Sequence, residues 1–163
     1  MTPDQHIRYM QMAIRQAADA MEAAEVPAGC VIVHQPAGAP PRVVGLAHNQ
    51  VETLKDPTAH AEILAITQAA AALGNWRLTD TVLYVTKEPC AMCAGAIVLA
   101  RIPTVVFGAS DPKRGGAVSV FNILNHPQLN HRCEVVSGVL EEECRELLQE
   151  FFRKRRESVK SEQ

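Results

Sequence analysis

The two stretches that organise this chain are HAE at residues 60–62 and PCAMC at residues 89–93. Together they supply one imidazole, two thiols and one carboxylate. Zinc prefers nitrogen and sulfur ligands in a tetrahedron, with three protein ligands and a water at catalytic sites and four protein ligands at structural sites. One histidine and two cysteines therefore predict a catalytic zinc site, at which the carboxylate stays free for chemistry.

The predicted zinc ligands are His60, Cys90 and Cys93, and Glu62 is expected to stand beside the metal without binding it. Cys90 and Cys93 are three residues apart, so on a helix their side chains share one face. Pro89 suits the start of that helix, because the first turn does not use the N–H that proline lacks. Unpaired N–H groups and the helix dipole stabilise a thiolate there and lower its pKa, which prepares both sulfurs to hold a cation.

A second helix start is predicted just before the histidine. Asp56 is a suitable N-cap and Pro57 a suitable first residue, for a helix over residues 57–73. His60 and Glu62 are two residues apart, so on a regular helix their side chains would face nearly opposite directions. Both side chains are therefore expected to reach one pocket only with His60 in the first turn of the helix.

The chemistry expected of such a site is hydrolytic removal of an amine from an electron-poor ring. Zinc held by two thiolates and a neutral imidazole lowers the pKa of its bound water towards neutrality, which supplies the nucleophile. The amine leaves only when protonated, so a proton has to travel from the water to a ring nitrogen and then to the amine. Glu62 is the predicted carrier of that proton, whereas Glu88, at the end of a strand-like run, is interpreted as a supporting residue.

The cysteine pair alone also fits two other interpretations. Cys-x-x-Cys alone is typical of a thioredoxin-like redox pair, although a redox pair has no need of the upstream histidine and glutamate. A structural zinc site would instead take His48 or His126 as a fourth ligand. The combined pattern of the two stretches favours the catalytic zinc site over both.

Composition indicates a single globular domain. The chain has 163 residues, of which 47% are hydrophobic and 21% charged, and we expect one domain over residues 1–157 and a disordered tail over residues 158–163. The net charge of −2 gives no overall basic field, so a nucleic-acid partner would need a local patch. No signal peptide or membrane-spanning run stands out, and the three remaining cysteines are predicted to be buried thiols, which together favour a cytoplasmic protein. These cysteines are Cys30, Cys133 and Cys144.

Hydrophobic periodicity predicts strands and helices that alternate after an opening hairpin. The predicted strands cover residues 28–34, 42–48, 81–86, 104–107 and 133–137. The predicted helices cover residues 4–24, 57–73, 90–101, 119–124 and 140–157. This order indicates a three-layer α/β/α fold with a mixed five-stranded sheet and helices on both faces. Both motif helices would then begin at one edge of the sheet, where open α/β sheets bind ligands.

The two stretches form the pattern carried by zinc-dependent nucleobase deaminases. The lead-in DPTA at residues 56–59 and the ending FFR at residues 151–153 narrow the match, and the chain resembles bacterial tRNA-specific adenosine deaminases. Those enzymes convert the wobble adenosine of a tRNA anticodon to inosine. The other matching segments are residues 25–27, 49, 83–86, 101–102, 105–109, 111, 130–132 and 143–144.

The resemblance implies the cytidine-deaminase-like fold, one zinc ion per subunit, a homodimer without a membrane partner, and a tRNA anticodon stem-loop as substrate. By match, Asn49 and Asp111 would contact the flipped nucleotide. The closing helix, with Phe151 and Arg153, would lie against the stem-loop. Ala28 occupies a pocket position where the family often has a larger aliphatic residue, so we expect looser selectivity around the base.

Two alternative functions differ from this one in substrate or in activity. A free-base deaminase, such as a guanine deaminase, would share the fold and the metal site, but the basic run RKRR at residues 153–156 suits phosphates that a free base lacks. The same run would also be favourable as a solvated helix end. A non-catalytic RNA-binding subunit is the other alternative, and it would have no use for Glu62.

Overall fold

A computed structural model describes the backbone of residues 1–162 and the side chains of residues 1–161. Over these residues, five strands form one sheet in the order β2-β1-β3-β4-β5. The strands are β1 (Gly29–His34), β2 (Arg42–His48), β3 (Thr81–Lys87), β4 (Thr104–Ala109) and β5 (Glu134–Val136). β1 is antiparallel to β2 and β3, whereas β3, β4 and β5 run parallel. The predicted mixed five-stranded sheet is confirmed.

Helices cover both faces of the sheet. They are α1 (Pro3–Glu22), α2 (Val51–Leu54), α3 (Ala61–Leu73), α4 (Ala91–Leu99) and α5 (Glu141–Glu162). Apolar residues of α3 and α4 share one core with Ile32, Leu83 and Val105 of the sheet. Those of α1 and α5 share the other core with neighbouring strand residues such as Tyr84 and Val106. Adjacent strand residues thus point to opposite faces, as the period of two requires, and the predicted three layers are confirmed.

The helix predicted over residues 119–124 is wrong, because N–H groups of this segment donate to partners that do not follow helical spacing. Ser119 donates to the buried Glu88 carboxylate, and Val120, Phe121 and Ile123 donate to the carbonyls of Gly115 and Gly116. The segment is irregular, and the loop that leads into it, over residues 111–119, wraps around the buried side chain of Glu88. Four backbone N–H groups of this loop donate to the carboxylate, at 2.8–3.2 Å, from Asp111, Ala117, Val118 and Ser119. Glu88 therefore holds the loop that follows β4 against the end of β3.

The closing helix is longer than predicted. α5 runs through Glu162, whereas the prediction ended the helix at residue 157 and expected a disordered tail over residues 158–163. The last turns consist of residues such as Arg156, Glu157 and Lys160, which are good helix formers even without burial. Residue 163 of the predicted tail lies outside the described residues, and the single domain over residues 1–157 stays a prediction.

The cysteines away from the two motifs are buried, as predicted. Cys30, Cys133 and Cys144 are free thiols in apolar surroundings. Burial raises the pKa of Cys133 to about 11 and that of Cys144 to about 12, so both stay protonated at neutral pH. Among residues 1–162, no helix has the length and apolar content needed to cross a membrane.

Candidate active site

His60 lies just outside its helix, which removes the geometric conflict with Glu62. It is the N-cap of α3, with extended backbone at φ −76° and ψ 153°. The predicted start at Pro57 is wrong, because the Asp56 carboxylate accepts the N–H and O–H of Thr58, at 2.8 and 2.7 Å, in a local turn. Since His60 is not helical, its side chain is free of the helical spacing that separates residues two apart. Glu62 reaches the same pocket from the first turn of α3.

The two cysteines occupy the N-terminus of α4. Cys90 is the N-cap, one position outside the predicted helix start, and Cys93 is the third helical residue. A hydrogen bond from the Cys93 thiol, helped by one from His60 and opposed by burial, lowers the pKa of Cys90 to about 3. The same bond to Cys90, together with burial, raises the pKa of Cys93. Cys90 is thus a thiolate at neutral pH, and its charge is stabilised by hydrogen bonds with Cys93 and His60.

The three predicted ligands form a compact group whose spacing fits a single zinc ion. Ligand atoms of His60, Cys90 and Cys93 all lie within 4.8 Å of one another. His60 Nδ1 is 3.6 Å from Cys90 Sγ and 3.5 Å from Cys93 Sγ. Zinc bonds of about 2.0 Å to nitrogen and about 2.3 Å to sulfur, at a tetrahedral angle, would separate these atoms by about 3.6 Å. The geometry and the donor chemistry therefore both suit zinc.

Within the described part of the chain, no fourth histidine, cysteine or carboxylate belongs to this group. His48 directs Nδ1 to the carbonyl of Asn49 at 2.9 Å, and His126 accepts the N–H of Gln128 in an exposed loop at 3.1 Å. A structural site with four protein ligands therefore has no support in this geometry. A group of three suits a catalytic site, which keeps one coordination position open.

Glu62 lies beside this group and is buried. Burial raises the pKa of its carboxyl above the ordinary value, while the nearby His60 acts in the opposite direction. The carboxyl shares a small pocket of about 120 Å³ with His60 and Cys90. A buried carboxyl with a raised pKa, placed next to a metal-binding group, is able to both accept and donate a proton.

The pocket brings together most of the predicted substrate residues. Ala28, Asn49 and Asp111 line it, together with His60, Cys90 and Glu62. Phe151 instead lines a larger neighbouring groove of about 820 Å³. Arg153 is exposed on α5 and is not among the residues that line the pocket or its neighbouring grooves, as far as the described residues go.

Local hydrogen bonds fix the side chains of Asn49 and Asp111. Asn49 Oδ1 accepts the N–H of Ala61 at 3.1 Å, so its amide is held at the start of α3. Asp111 Oδ1 accepts the N–H groups of Lys113 and Arg114, both at 3.1 Å. Burial opposes ionisation of Asp111, but the Lys87 ammonium and these hydrogen bonds hold its pKa below the ordinary value. Both polar groups are therefore oriented before any substrate arrives.

The pocket opens onto two grooves that flank α5. The first, here called the cationic groove, has a volume of about 700 Å³. Its charged lining residues are Lys87, Asp111, Lys113, Arg114, Arg145, Arg155 and Arg156. The second groove, of about 820 Å³, runs between α1, α2 and α5 and contains Phe151 and Lys154. A pocket between two grooves suits a polymeric ligand, of which one unit enters the pocket and the neighbouring units lie in the grooves.

Two residues of this surface were missed by the sequence analysis. Arg114 lines the pocket and both grooves, and Lys87 lines the pocket and the cationic groove. The sequence did contain a hint, because two cations follow Asp111 within three positions. Lys87 gave no such hint, since a lysine that ends a strand is commonly a solvated end residue.

The fold and the donor set define the class of the protein. A mixed sheet that carries a His/Cys/Cys group beside a buried glutamate is the arrangement of zinc-dependent nucleobase deaminases. The sequence profile of the MafB19-like deaminases matches residues 4–156, which is nearly the whole chain.

Individual relatives narrow the class. The tRNA-specific adenosine deaminase of Bacillus subtilis (strain 168) is 50% identical over 153 residues, which cover 94% of this chain and 92% of the relative. A solved tRNA:A34 deaminase, studied for A-to-I editing at the wobble position of transfer RNA, matches with a TM-score of 0.80 at 43% identity, over 86% of this chain and 99% of that one. Guanine deaminase from Bacillus subtilis matches with a TM-score of 0.57 at 38% identity, over 68% and 66% of the two chains. The chain belongs to the MafB19-like deaminases and, within them, to the family of tRNA-specific adenosine deaminases.

Proposed function

We propose that this enzyme hydrolyses adenosine to inosine at the wobble position of a tRNA anticodon, with zinc as its cofactor. One observation carries the proposal: the compact His60, Cys90 and Cys93 group lies beside buried Glu62 in a pocket that opens onto two grooves. The named activity of relatives about half identical in sequence supports adenosine in tRNA as the substrate. Such a substrate also implies that the enzyme works in the cytoplasm.

Zinc would be held by Nδ1 of His60 and by the sulfurs of Cys90 and Cys93. The start of α4 stabilises the Cys90 thiolate, and the imidazole of His60, on extended backbone, lies next to both sulfurs. When bound there with one open position, zinc supplies an acidic water as the nucleophile. Burial of Cys93 and Glu62 limits the access of bulk solvent to this side of the site.

Glu62 is the proposed proton carrier. Its carboxylate takes one proton from the attacking water as the C6–O bond forms and delivers it to N1 of the purine. It then carries the second proton, from the new C6 hydroxyl, to the amine as the C6–N6 bond breaks. The products are inosine and ammonia, so one water is consumed and all protons are accounted for. A carboxyl that is buried, close to the zinc ligands and outside their group is suited to this role.

The base and its neighbours are proposed to bind through the remaining predicted residues. Asn49 retains two amide N–H donors, because only its oxygen is used by α3. Ala28 forms a small part of the pocket wall and leaves room beside the base, while Asp111 contacts the nucleotide at the mouth. Phe151 offers an aromatic face to a neighbouring base in the second groove, and Arg153 a phosphate contact outside it.

A substrate comparison tests the proposed function. RNA hairpins with a seven-nucleotide loop and adenosine at the wobble position are expected to release ammonia efficiently, since loops present bases that can be splayed out. Free adenosine and free guanine are expected to be very poor substrates, because they make no contacts in the two grooves. Ammonia release from free guanine as efficient as from the hairpin would favour a guanine deaminase instead, and no release from any of them would favour a non-catalytic subunit.

The basic run at residues 153–156 is proposed to bind phosphates. Lys154 forms an ion pair with Glu150 at 3.1 Å, whereas Arg155 and Arg156 line the cationic groove. Replacing Arg153, Arg155 and Arg156 by alanine is expected to weaken RNA binding and to flatten the log–log dependence of affinity on salt by roughly two units, at about 0.7 per phosphate contact.

Salt titrations of RNA affinity for the wild type and this triple variant provide the measurement. The rate at saturating RNA and the zinc content are expected to change little, because the arginines bind ground state and transition state alike. Arg42→Ala, at the exposed start of β2, is a matched control for the loss of a surface cation. An unchanged slope in the triple variant would show that the run is only a solvated helix end.

A homodimer is proposed on the basis of exposed apolar residues around α4. Met92 and Leu99 of α4 are exposed, as is Phe121 in the loop over residues 115–121, and Leu99 reaches 69% exposure. A backbone hydrogen bond of 2.7 Å ties that loop to the start of α4. Large contiguous patches of exposed apolar residues are typical of interaction surfaces. Light scattering is expected to give twice the chain mass for the wild type and a single chain mass for Leu99→Glu. A monomeric wild type would contradict the proposal.

A further inference from the structure

Lys87 stands at the boundary between the base pocket and the cationic groove. It is the last residue of β3, immediately before the segment that leads to Cys90, and its side chain lines both cavities. When a base fills this pocket of about 120 Å³, its ribose and phosphates extend towards the grooves onto which the pocket opens. The sugar–phosphate backbone of a bound nucleotide must therefore cross the mouth of the pocket, which is where Lys87 lies.

The ammonium of Lys87 has donors left over after its contact with Asp111. Nζ is 3.1 Å from Asp111 Oδ2, and the two side chains are 29% and 10% exposed. An ammonium carries three N–H donors, and one of them is sufficient for this carboxylate. The other oxygen of Asp111 is held by two backbone N–H groups, so the position of the ion pair is set by the loop after β4.

On the groove side of Lys87 the charges favour an anion, whereas the further carboxylates Glu62 and Glu88 line the pocket side. Among the described residues that line the cationic groove, Asp111 is the sole carboxylate. Lys87 neutralises it, so an approaching phosphate meets an ammonium rather than an exposed negative charge. Arg145 is already engaged by Glu141 and Glu142, which leaves Lys87 and Arg114 as the cations at the boundary with the pocket.

We propose that Lys87 bridges Asp111 to a backbone phosphate next to the flipped adenosine, and that this bridge favours a polynucleotide over a free base. The inference rests on the proposed function and adds a positioning residue to it. Removal of the Lys87 ammonium weakens RNA binding in two ways. The attraction for the phosphate is lost, and the charge of Asp111, no longer neutralised, repels the RNA. A free nucleoside, which has no phosphate, gains nothing from the bridge.

Lys87→Met tests the bridge, since methionine keeps much of the apolar stem and removes the charge. Hairpin affinity is expected to fall about tenfold, the scale of one charged hydrogen bond. The salt dependence is expected to flatten by about 0.7 unit. Lys87→Arg is expected to restore both, and Arg42→Met, at the start of β2, is expected to change neither. Zinc content and thermal unfolding establish that each variant is folded, and Lys87→Gln replaces the methionine variant if that one does not fold.

Hairpins with a single neutral methylphosphonate linkage identify the phosphate. A neutral linkage at the phosphate that Lys87 contacts, next to the target adenosine, is expected to weaken binding to the wild type. The same linkage is expected to cause no further loss of affinity in Lys87→Met. The bridge would be overturned if Lys87→Met kept the salt slope of the wild type. It would also be overturned if the affinity losses caused by Lys87→Met and by the neutral linkage were additive at every linkage tested. If the wild type itself neither binds nor deaminates the hairpin, the proposed function fails instead, so the two failures are distinguishable.

Discussion

Glu62→Gln is expected to leave the fold and the bound zinc intact and to lower the rate of deamination by at least ~10²-fold, the usual scale for a general acid–base residue. Glutamine has nearly the same shape and fits the same buried place beside His60 and Cys93. Its amide, however, neither accepts the proton of the attacking water nor donates one to the departing amine. The loss therefore falls on the chemical step rather than on binding.

Single-turnover rates on the anticodon hairpin provide the measurement, because they separate chemistry from product release. Hairpin affinity is expected to stay close to that of the wild type. Glu134→Gln, on the exposed edge strand β5, is a matched control that removes a carboxylate far from the zinc group. A near-normal rate in Glu62→Gln would mean that the proton travels by another route.

Cys90→Ala is expected to abolish both zinc binding and activity, the largest combined effect of any single change. The remaining histidine and cysteine would offer two ligands, which is fewer than the three of known catalytic zinc sites. Loss of the thiolate also removes the negative charge held at the start of α4. Elemental analysis is expected to find one zinc per chain in the wild type and almost none in the variant.

Cys133→Ala is the control for this experiment, since Cys133 is buried and free but lies outside the zinc group. It is expected to keep both zinc and activity. Undiminished zinc in Cys90→Ala, or a wild type that contains none after purification from zinc-supplemented cells, would remove the basis of the mechanism. A reversible Cys90–Cys93 disulfide with full activity in the absence of zinc would support the redox interpretation.

Local sequence patterns were sufficient to predict the sheet and the close approach of His60, Cys90 and Cys93. The apolar strands alternate between two cores, and the two helix starts place His60 and the cysteines at one edge of the sheet. Where prediction failed, a nonlocal or side-chain interaction decided the outcome. The Glu88 carboxylate, 31 residues earlier in the chain, accepts the N–H of Ser119 at the start of the segment predicted as a helix. The next N–H groups of that segment donate to the carbonyls of Gly115 and Gly116 rather than at helical spacing.

The position of His60 likewise depends on a side-chain hydrogen bond that replaces the predicted first turn of the helix. The Asp56 side chain closes a turn with Thr58, so α3 begins at Ala61 rather than at Pro57. The spacing of His60 and Glu62 alone could not reveal that turn. Lys87 was beyond sequence reasoning for another reason, since its place at the pocket depends on the return of the chain to Asp111 after β4.

The most direct test of the central claim is the location of inosine in tRNA treated with the purified enzyme. Transfer RNA that lacks inosine would be incubated with the wild type or with Glu62→Gln, digested and analysed by mass spectrometry of the anticodon fragments. We predict conversion of adenosine to inosine at the wobble position with the wild type, no conversion at other adenosines, and almost none with the variant. Unmodified wobble adenosine, with an enzyme that contains zinc and releases ammonia from free guanine, would contradict the account.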